Sequence, residues 1–236
     1  MRIVVTNCNT TQEMTEEIVR GARAAAGPGT TVTGLTPSWG PESAEGWLDS
    51  YLSAAAVLDA LRTYEDAYDA VVMAGFGEHG REGVRELVDV PVVDITEAAA
   101  HLACLLGRRY GVVTTLERSC GQIEDSLELA GVGRNSVGVV GTGLNVLDLG
   151  DSARTEAAFL AAAERVRAAG AEVLVLGCAG MTGLQRVVGE KLGLPVVDGV
   201  GAAVRLAESL VALRLTTSRA GAYARPLPKR RGWGRP

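Results

Sequence analysis

The chain has 236 residues, 47% of them hydrophobic and 22% charged, and a net charge of −5. That length allows one large domain or two small ones with a buried core, and no apolar run reaches the roughly 18–20 residues of a membrane span. Five of the last twelve residues are basic (Arg225, Lys229, Arg230, Arg231, Arg235), and without them 18 basic residues stand against 28 acidic ones. Such a body is a poor match for nucleic acid, and the tail reads as a frayed terminus or an oligomer contact.

In chain order, a strand over 2–7 ("RIVVTN") passes through "CNTT" into a helix over 11–26. The opening "MRIVVTNCNTT" has one charge ahead of a strand-like run, so it is not read as a signal peptide and the chain is expected in the cytoplasm. A strand over 30–36 precedes "PSWGPESAEGWLDSY" (37–51), which holds two of the three tryptophans. That segment is read equally as an apolar wall over a cleft and as a surface loop. A helix over 44–63 follows, then a strand over 70–75 ending in the glycine turn "MAGFGEHG" (73–80). Next come a helix over 80–89, the strand "PVVDI" (91–95) and a helix over 96–107. The second series has strands over 110–115, 136–141, 172–177 and 195–199, and helices over 117–131, 152–169, 183–192 and 200–213.

Strands that are apolar on successive residues suit a parallel sheet buried on both faces, and their alternation with helices gives an α/β fold. The order also repeats. Segment 69–99 lies over 172–203 with one inserted residue, placing Gly75 on Cys178, Gly77 on Gly180, Gly80 on Gly183 and Pro91–Asp94 on Pro195–Asp198. "RIVVTN" matches "YGVVTT" in the same way. A duplicated architecture follows, with two halves face to face and the 200–213 helix crossing back to the first. Ligands of open parallel sheets gather beyond the carboxyl ends of the strands, which puts both glycine turns on opposite walls of one cleft. Their backbone N–H groups then favour carboxylate, imide or enolate oxygens.

Cys178 follows the apolar strand directly, where a helix N-terminus lowers a thiol pKa. The four cysteines (Cys8, Cys104, Cys120, Cys178) and two histidines (His79, His101) are too scattered for a disulfide framework or a zinc site. Asp94 and Asp198 read as helix caps, Glu78 as a helix start or a partner orienting His79, and His101 as a packed or interface residue.

"GCAGM" with "GLPVVDGV", the opening Asn7, Asn9, Thr10 and Thr11, the "GVVTT" strand and the "AESLVAL" helix together resemble the hydantoin racemase family, within the aspartate/glutamate racemase superfamily. The resemblance runs from residue 2 to about 226. It implies two pseudo-symmetric, Rossmann-like lobes: 1–97 plus a C-terminal helix at about 205–215, and 98–204, with 216–236 as a tail. It further implies an active site in the cleft between them, no cofactor or metal, a small-molecule hydantoin as substrate, and a homo-oligomer. The mechanism it implies has one thiolate removing the C5 proton while the opposing thiol delivers another to the other face. Carried over by position, the resemblance implies that Cys178 is the second-lobe cysteine and that Asn9, Gly75, Phe76, Gly77, Thr114, Thr115, Ala179 and Gly180 contact the substrate.

At Gly75 the chain departs from the family, which has a cysteine there. Three replacements are open: His79, with an ordinary pKa of about 6.5 suited to proton transfer; Cys8, where relatives have proline; or a water. Arylmalonate decarboxylases also keep only the second-lobe cysteine, but are hydroxyl-rich beside their glycine, whereas Phe76 and Gly77 follow the racemases. Allantoin is an alternative substrate of the same chemistry, and a binding protein with a lost active site is the non-enzymatic alternative.

Overall fold

A computed structural model describes residues 1–150, 152–181 and 184–231. Gly183, paired with Gly80 in the sequence overlay, lies outside the described residues, as does Arg235. The first half contains β1 (Arg2–Thr6), α1 (Gln12–Ala25), β2 (Thr31–Leu35), α2 (Trp47–Arg62), β3 (Ala70–Met73), α3 (Arg81–Leu87), β4 (Val92–Asp94) and α4 (Ile95–Leu106). The second half repeats the pattern with β5 (Tyr110–Thr114), α5 (Cys120–Leu129), β6 (Ser136–Gly141), α6 (Ser152–Ala168), β7 (Val173–Leu176), α7 (Gln185–Leu192), β8 (Val196–Asp198) and α8 (Gly199–Ala212).

The strands form two four-stranded sheets, ordered β2-β1-β3-β4 and β6-β5-β7-β8. Every pairing is parallel. The strands β3, β5 and β7 are buried along their whole length, and none of them carries a charged residue. Register repeats between the halves: Met73 faces Asp94 as Leu176 faces Asp198. The match of "RIVVTN" with "YGVVTT" is one residue out, because the ladder pairs Ile3 with Ala70 and Tyr110 with Val173. In register, Asn7 therefore corresponds to Thr114 and Cys8 to Thr115. Hydrogen bonding past the strand ends agrees, Ala74 N–H donating to Thr6 O and Gly177 N–H to Val113 O.

Three apolar clusters give the layering. Val57 and Leu61 of α2 with Val84 of α3 cover the outer face of the first sheet, and Phe159, Ala162, Val166 and Val188 of α6 and α7 cover that of the second. The central cluster joins inward residues of both sheets (Ile3, Val5, Val72; Val112, Val173, Val175) to α1, α4, α5 and α8. Helix α1 buries Thr15, Ile18, Val19 and Ala22, one stripe at helical spacing.

Helices α4 and α8 change sides. After β4, α4 packs on β5, β7 and α5 of the second half; after β8, α8 packs on β3, β4 and α1 of the first. The two helices also pack against each other, their inward residues mostly alanine and valine. At their N-termini a Cβ on Gly199 would lie 2.8 Å from the Ile95 carbonyl oxygen, so that crossing needs glycine. Both helices start from the expected caps. The Asp94 carboxylate accepts from Thr96 and Glu97 N–H, with Glu97 completing a capping box, and Asp198 accepts from Val200 and Gly201 N–H.

The tail is not frayed as far as Arg225. Thr216 and Thr217 donate to the Asp89 and Val90 carbonyls, and Arg219 reaches the Arg85, Glu86, Val88 and Tyr223 carbonyls and the Asp89 carboxylate. Arg225 also pairs with Asp89 at 2.5 Å. No helix among the described residues is long and apolar enough to cross a membrane.

Candidate active site

The carboxyl ends of β1, β3, β5 and β7 converge on one cavity, lined from both halves of the chain. Asn7, Cys8 and Asn9 line it from β1, and Ala74, Gly75, Phe76 and His79 from β3. Opposite them stand Thr114 and Thr115 after β5, and Gly177, Cys178 and Ala179 after β7. Met14 and Ile18 of α1 and Gln122 of α5 complete the walls.

Two loops approach the cavity, one from each half. Ala44 comes from the segment after β2 and Val146 from the segment after β6. The Glu45 carboxylate accepts from Val146 N–H at 2.9 Å, tying the loops together. Segment 37–51 thus lies at the cavity, held also by Thr10 and Thr11 bonded to the Pro41 and Glu42 carbonyls. Its tryptophans are not the wall. Trp39 donates its indole N–H to Asp59, and Trp47 is 45% exposed on α2.

Of the residues expected in the site, Asn9, Gly75, Phe76, His79, Thr114, Thr115, Cys178 and Ala179 line the cavity, while Gly77 and Gly180 do not. The Gly77 N–H points away and donates to Thr96 Oγ1 at 2.8 Å. Gly180 lines a neighbouring groove beside α1 instead, although its N–H is directed at the Cys178 sulfur. Glu78 caps α3 by accepting from Gly80 and Arg81 N–H, so those two amides are already used inside the protein. His101 is exposed, its Nδ1 against the Glu97 carbonyl.

Asn7 and Asn9 build the turn after β1. Asn7 donates to Asn9 Oδ1, Thr11 O and Thr15 Oγ1, and its own oxygen accepts from Asn9 N–H. Asn9 turns its NH2 to the Met14 sulfur at 3.5 Å, a weak acceptor, leaving that amide well able to donate to a ligand oxygen. Thr114 instead donates to Gly177 O at 2.8 Å, which ties β5 to the Cys178 turn. Gln122, which sequence reasoning missed, reaches across to the first half and donates to Ser50 Oγ and Glu78 O. Only the fold could reveal it, since a glutamine inside a helix carries no local motif.

The titratable groups depart from expectation. Burial pushes the Cys178 thiol up to about 11, with the Gly180 N–H pulling the other way and Glu45 adding to the rise. The expected acidification by a helix N-terminus is not seen: among the described residues the 3₁₀ turn Ala179–Met181 follows Cys178, and α7 starts at Gln185. Burial likewise pushes Cys8 up to about 12, and the nearby Cys178 raises it further. His79 is only 5% exposed, and burial brings it down to about 4, against a weak counter-pull from the Phe76 carbonyl. Its Nε2 lies 3.4 Å from that carbonyl and its Nδ1 has no hydrogen-bond partner in the protein. At neutral pH the ring is uncharged. Burial raises Asp94 to about 7, with Arg81 drawing it down, and it stays out of the cavity as a cap. No cluster of three or more His, Cys, Asp or Glu suited to a metal occurs among the described residues.

The Asp/Glu/Hydantoin racemase family model matches residues 3–207. The chain belongs to that family. It is an isomerase, and its fold is the one the racemases share. The hydantoin racemase of Rhizobium meliloti is 38% identical over 229 residues, covering 96% of this chain and 95% of the relative. The crystal structure of the allantoin racemase from Pseudomonas fluorescens is 52% identical with a TM-score of 0.96, covering 98% of this chain and 99% of that one. The likeness to arylmalonate decarboxylase, at 17% identity and a TM-score of 0.61, shows the fold alone. In this racemase, then, the strand-end position that carries Cys178 in one half carries Gly75 in the other.

Proposed function

We propose that this racemase interconverts the enantiomers of 5-monosubstituted hydantoins without a cofactor, by removing and returning the proton at C5. Allantoin, which is 5-ureidohydantoin, belongs to that class. The observation that carries the reading is Cys178 on the wall of a cavity lined from both sheets, with a second group with acid/base capacity on the facing strand ends. The high similarity to the allantoin racemase structure makes allantoin the first substrate to try.

The chemistry follows from the substrate's planarity after ionisation. The C5 proton lies beside the C4 carbonyl, so its loss gives an enolate that can be reprotonated from either side. Asn9 and the backbone of Phe76 and Ala179, all on the cavity wall, would donate to ring oxygens as charge develops. Cys178 serves one face. His79 and Cys8 both stand on the other wall.

Incubation of one enantiomer in D2O tests this. Deuterium should enter C5 as optical rotation decays. Cys178→Ser should lower the racemisation rate by about 100-fold or more, the usual worth of a positioned acid/base. Unchanged racemisation by that variant, or none by the unaltered chain on either allantoin or an alkyl hydantoin, contradicts the proposal.

A further inference from the structure

The sequence leaves Gly75 without the side chain that its counterpart Cys178 carries, and the structure shows what fills that space. A Cβ placed on Gly75 would meet His79 Cδ2 at 2.4 Å, Cys8 Cβ at 2.7 Å and Cys8 Sγ at 3.0 Å. No residue with a side chain fits there unless those neighbours move. The volume that a cysteine on β3 would occupy is already taken, in part by a thiol delivered from the adjacent strand β1. Cys8 and Gly75 follow neighbouring parallel strands whose register puts Thr6 beside Met73, so both leave the sheet at the same level.

We infer that Cys8 is the first-half acid/base of the reaction, a thiol moved from the end of β3 to the end of β1, and that His79 is a positioning residue that holds it. Cys8 lines the cavity that Cys178 lines, is partly accessible there, and lies close enough for the two sulfurs to interact electrostatically. Negative charge on one sulfur therefore opposes negative charge on the other, which favours the state with one thiolate and one thiol. His79 has the opposite character. It is packed behind Gly75, uncharged at neutral pH, with one nitrogen near the Phe76 carbonyl and the other unpartnered.

The steps balance. The Cys8 thiolate takes the C5 proton: an S–H bond forms, the C–H bond breaks, and its electron pair moves into the C4 carbonyl to give the enolate. Cys178 then gives its proton to the opposite face of C5, and the S–H electron pair remains on its sulfur. The reverse reaction exchanges the two roles. No oxidant, reductant or further reactant is needed.

This inference rests on the racemase reading, and the test separates the two. Both enantiomers of allantoin and of a 5-alkyl hydantoin are incubated in D2O with the unaltered chain, Cys8→Ser, Cys8→Ala, Cys178→Ser and His79→Asn. Polarimetry follows inversion, and proton NMR follows exchange at C5. Each cysteine variant should lose inversion by about 100-fold or more while still exchanging one enantiomer, the opposite one for Cys8 and Cys178, because one thiol still reaches one face. His79→Asn should keep inversion within about tenfold, shift KM and kcat together, and exchange both enantiomers alike. Inversion by Cys8→Ser and Cys8→Ala at the original rate overturns the assignment and leaves the racemase reading standing. So does one-sided exchange appearing in His79→Asn instead. Absence of inversion and exchange in the unaltered chain removes both.

Discussion

Cys178 and Cys8 reach their depth in the molecule for the same reason: each stands two residues beyond the end of a strand whose middle is apolar and buried. Burial there holds both thiols well above the ordinary range, at about 11 and about 12. The sign of the pH dependence follows. At neutral pH almost all free protein carries two thiols, and the active form with one thiolate grows about tenfold per pH unit below the lower pKa. kcat/KM should therefore climb from pH 6 to pH 8, where the hydantoin imide keeps its proton, with a slope near one on logarithmic axes. Initial rates across that range check it, and a plateau below pH 8 would show a thiol far more acidic than this burial allows. Cys178 was legible in the sequence because its flanking glycines and preceding strand form a local pattern. The environment of His79 was not legible, since its lowered pKa comes from desolvation by residues distant in sequence.

At the level of elements, strand and helix positions were readable to within a few residues, because unbroken β-branched runs and alanine-rich stretches leave few alternatives. The two "PVVD" strands predicted their own helix caps, and both aspartates cap as expected. The strand pairing was read one residue out at "YGVVTT" because letter identity, and not hydrogen-bond register, set the overlay. The close crossing of α4 and α8 left no mark in the sequence beyond a single glycine. Gly199→Ala should cost about 1–3 kcal/mol, since its methyl would press on the rigid Ile95 backbone. Gly121→Ala, exposed on α5 with nothing within 4 Å, should instead be neutral or stabilise by up to about 1 kcal/mol. Urea unfolding midpoints of the two variants measure the contrast, and equal midpoints would refute the packing argument.

At the scale of the whole molecule, duplication was visible from the glycine turns, whereas the docking of the tail was not. Its basic composition suggested a loose end, yet Arg219 clasps the carbonyls ending α3 along with Asp89. The helix ends there and leaves its last carbonyls without helical partners, so a guanidinium satisfies them. Arg219→Ala should lower stability by about 1–3 kcal/mol, a fall in melting temperature of roughly 2–4 °C per kcal/mol for a chain of this size. The racemisation rate should be unchanged, because the contact lies away from the cavity. Calorimetry with a rate assay checks both halves of that statement.

The traded positions of α4 and α8 bear on how such a chain can be divided. A break between α4 and β5 would leave two pieces, each holding the layer that the other one lacks. Neither piece has a complete interior alone, and together they regain every contact except one peptide bond. Two half-length chains clasping by their last helices would make the same object, so the polypeptide has the architecture of a fused dimer, with a thiol at the equivalent strand-end position on only one side.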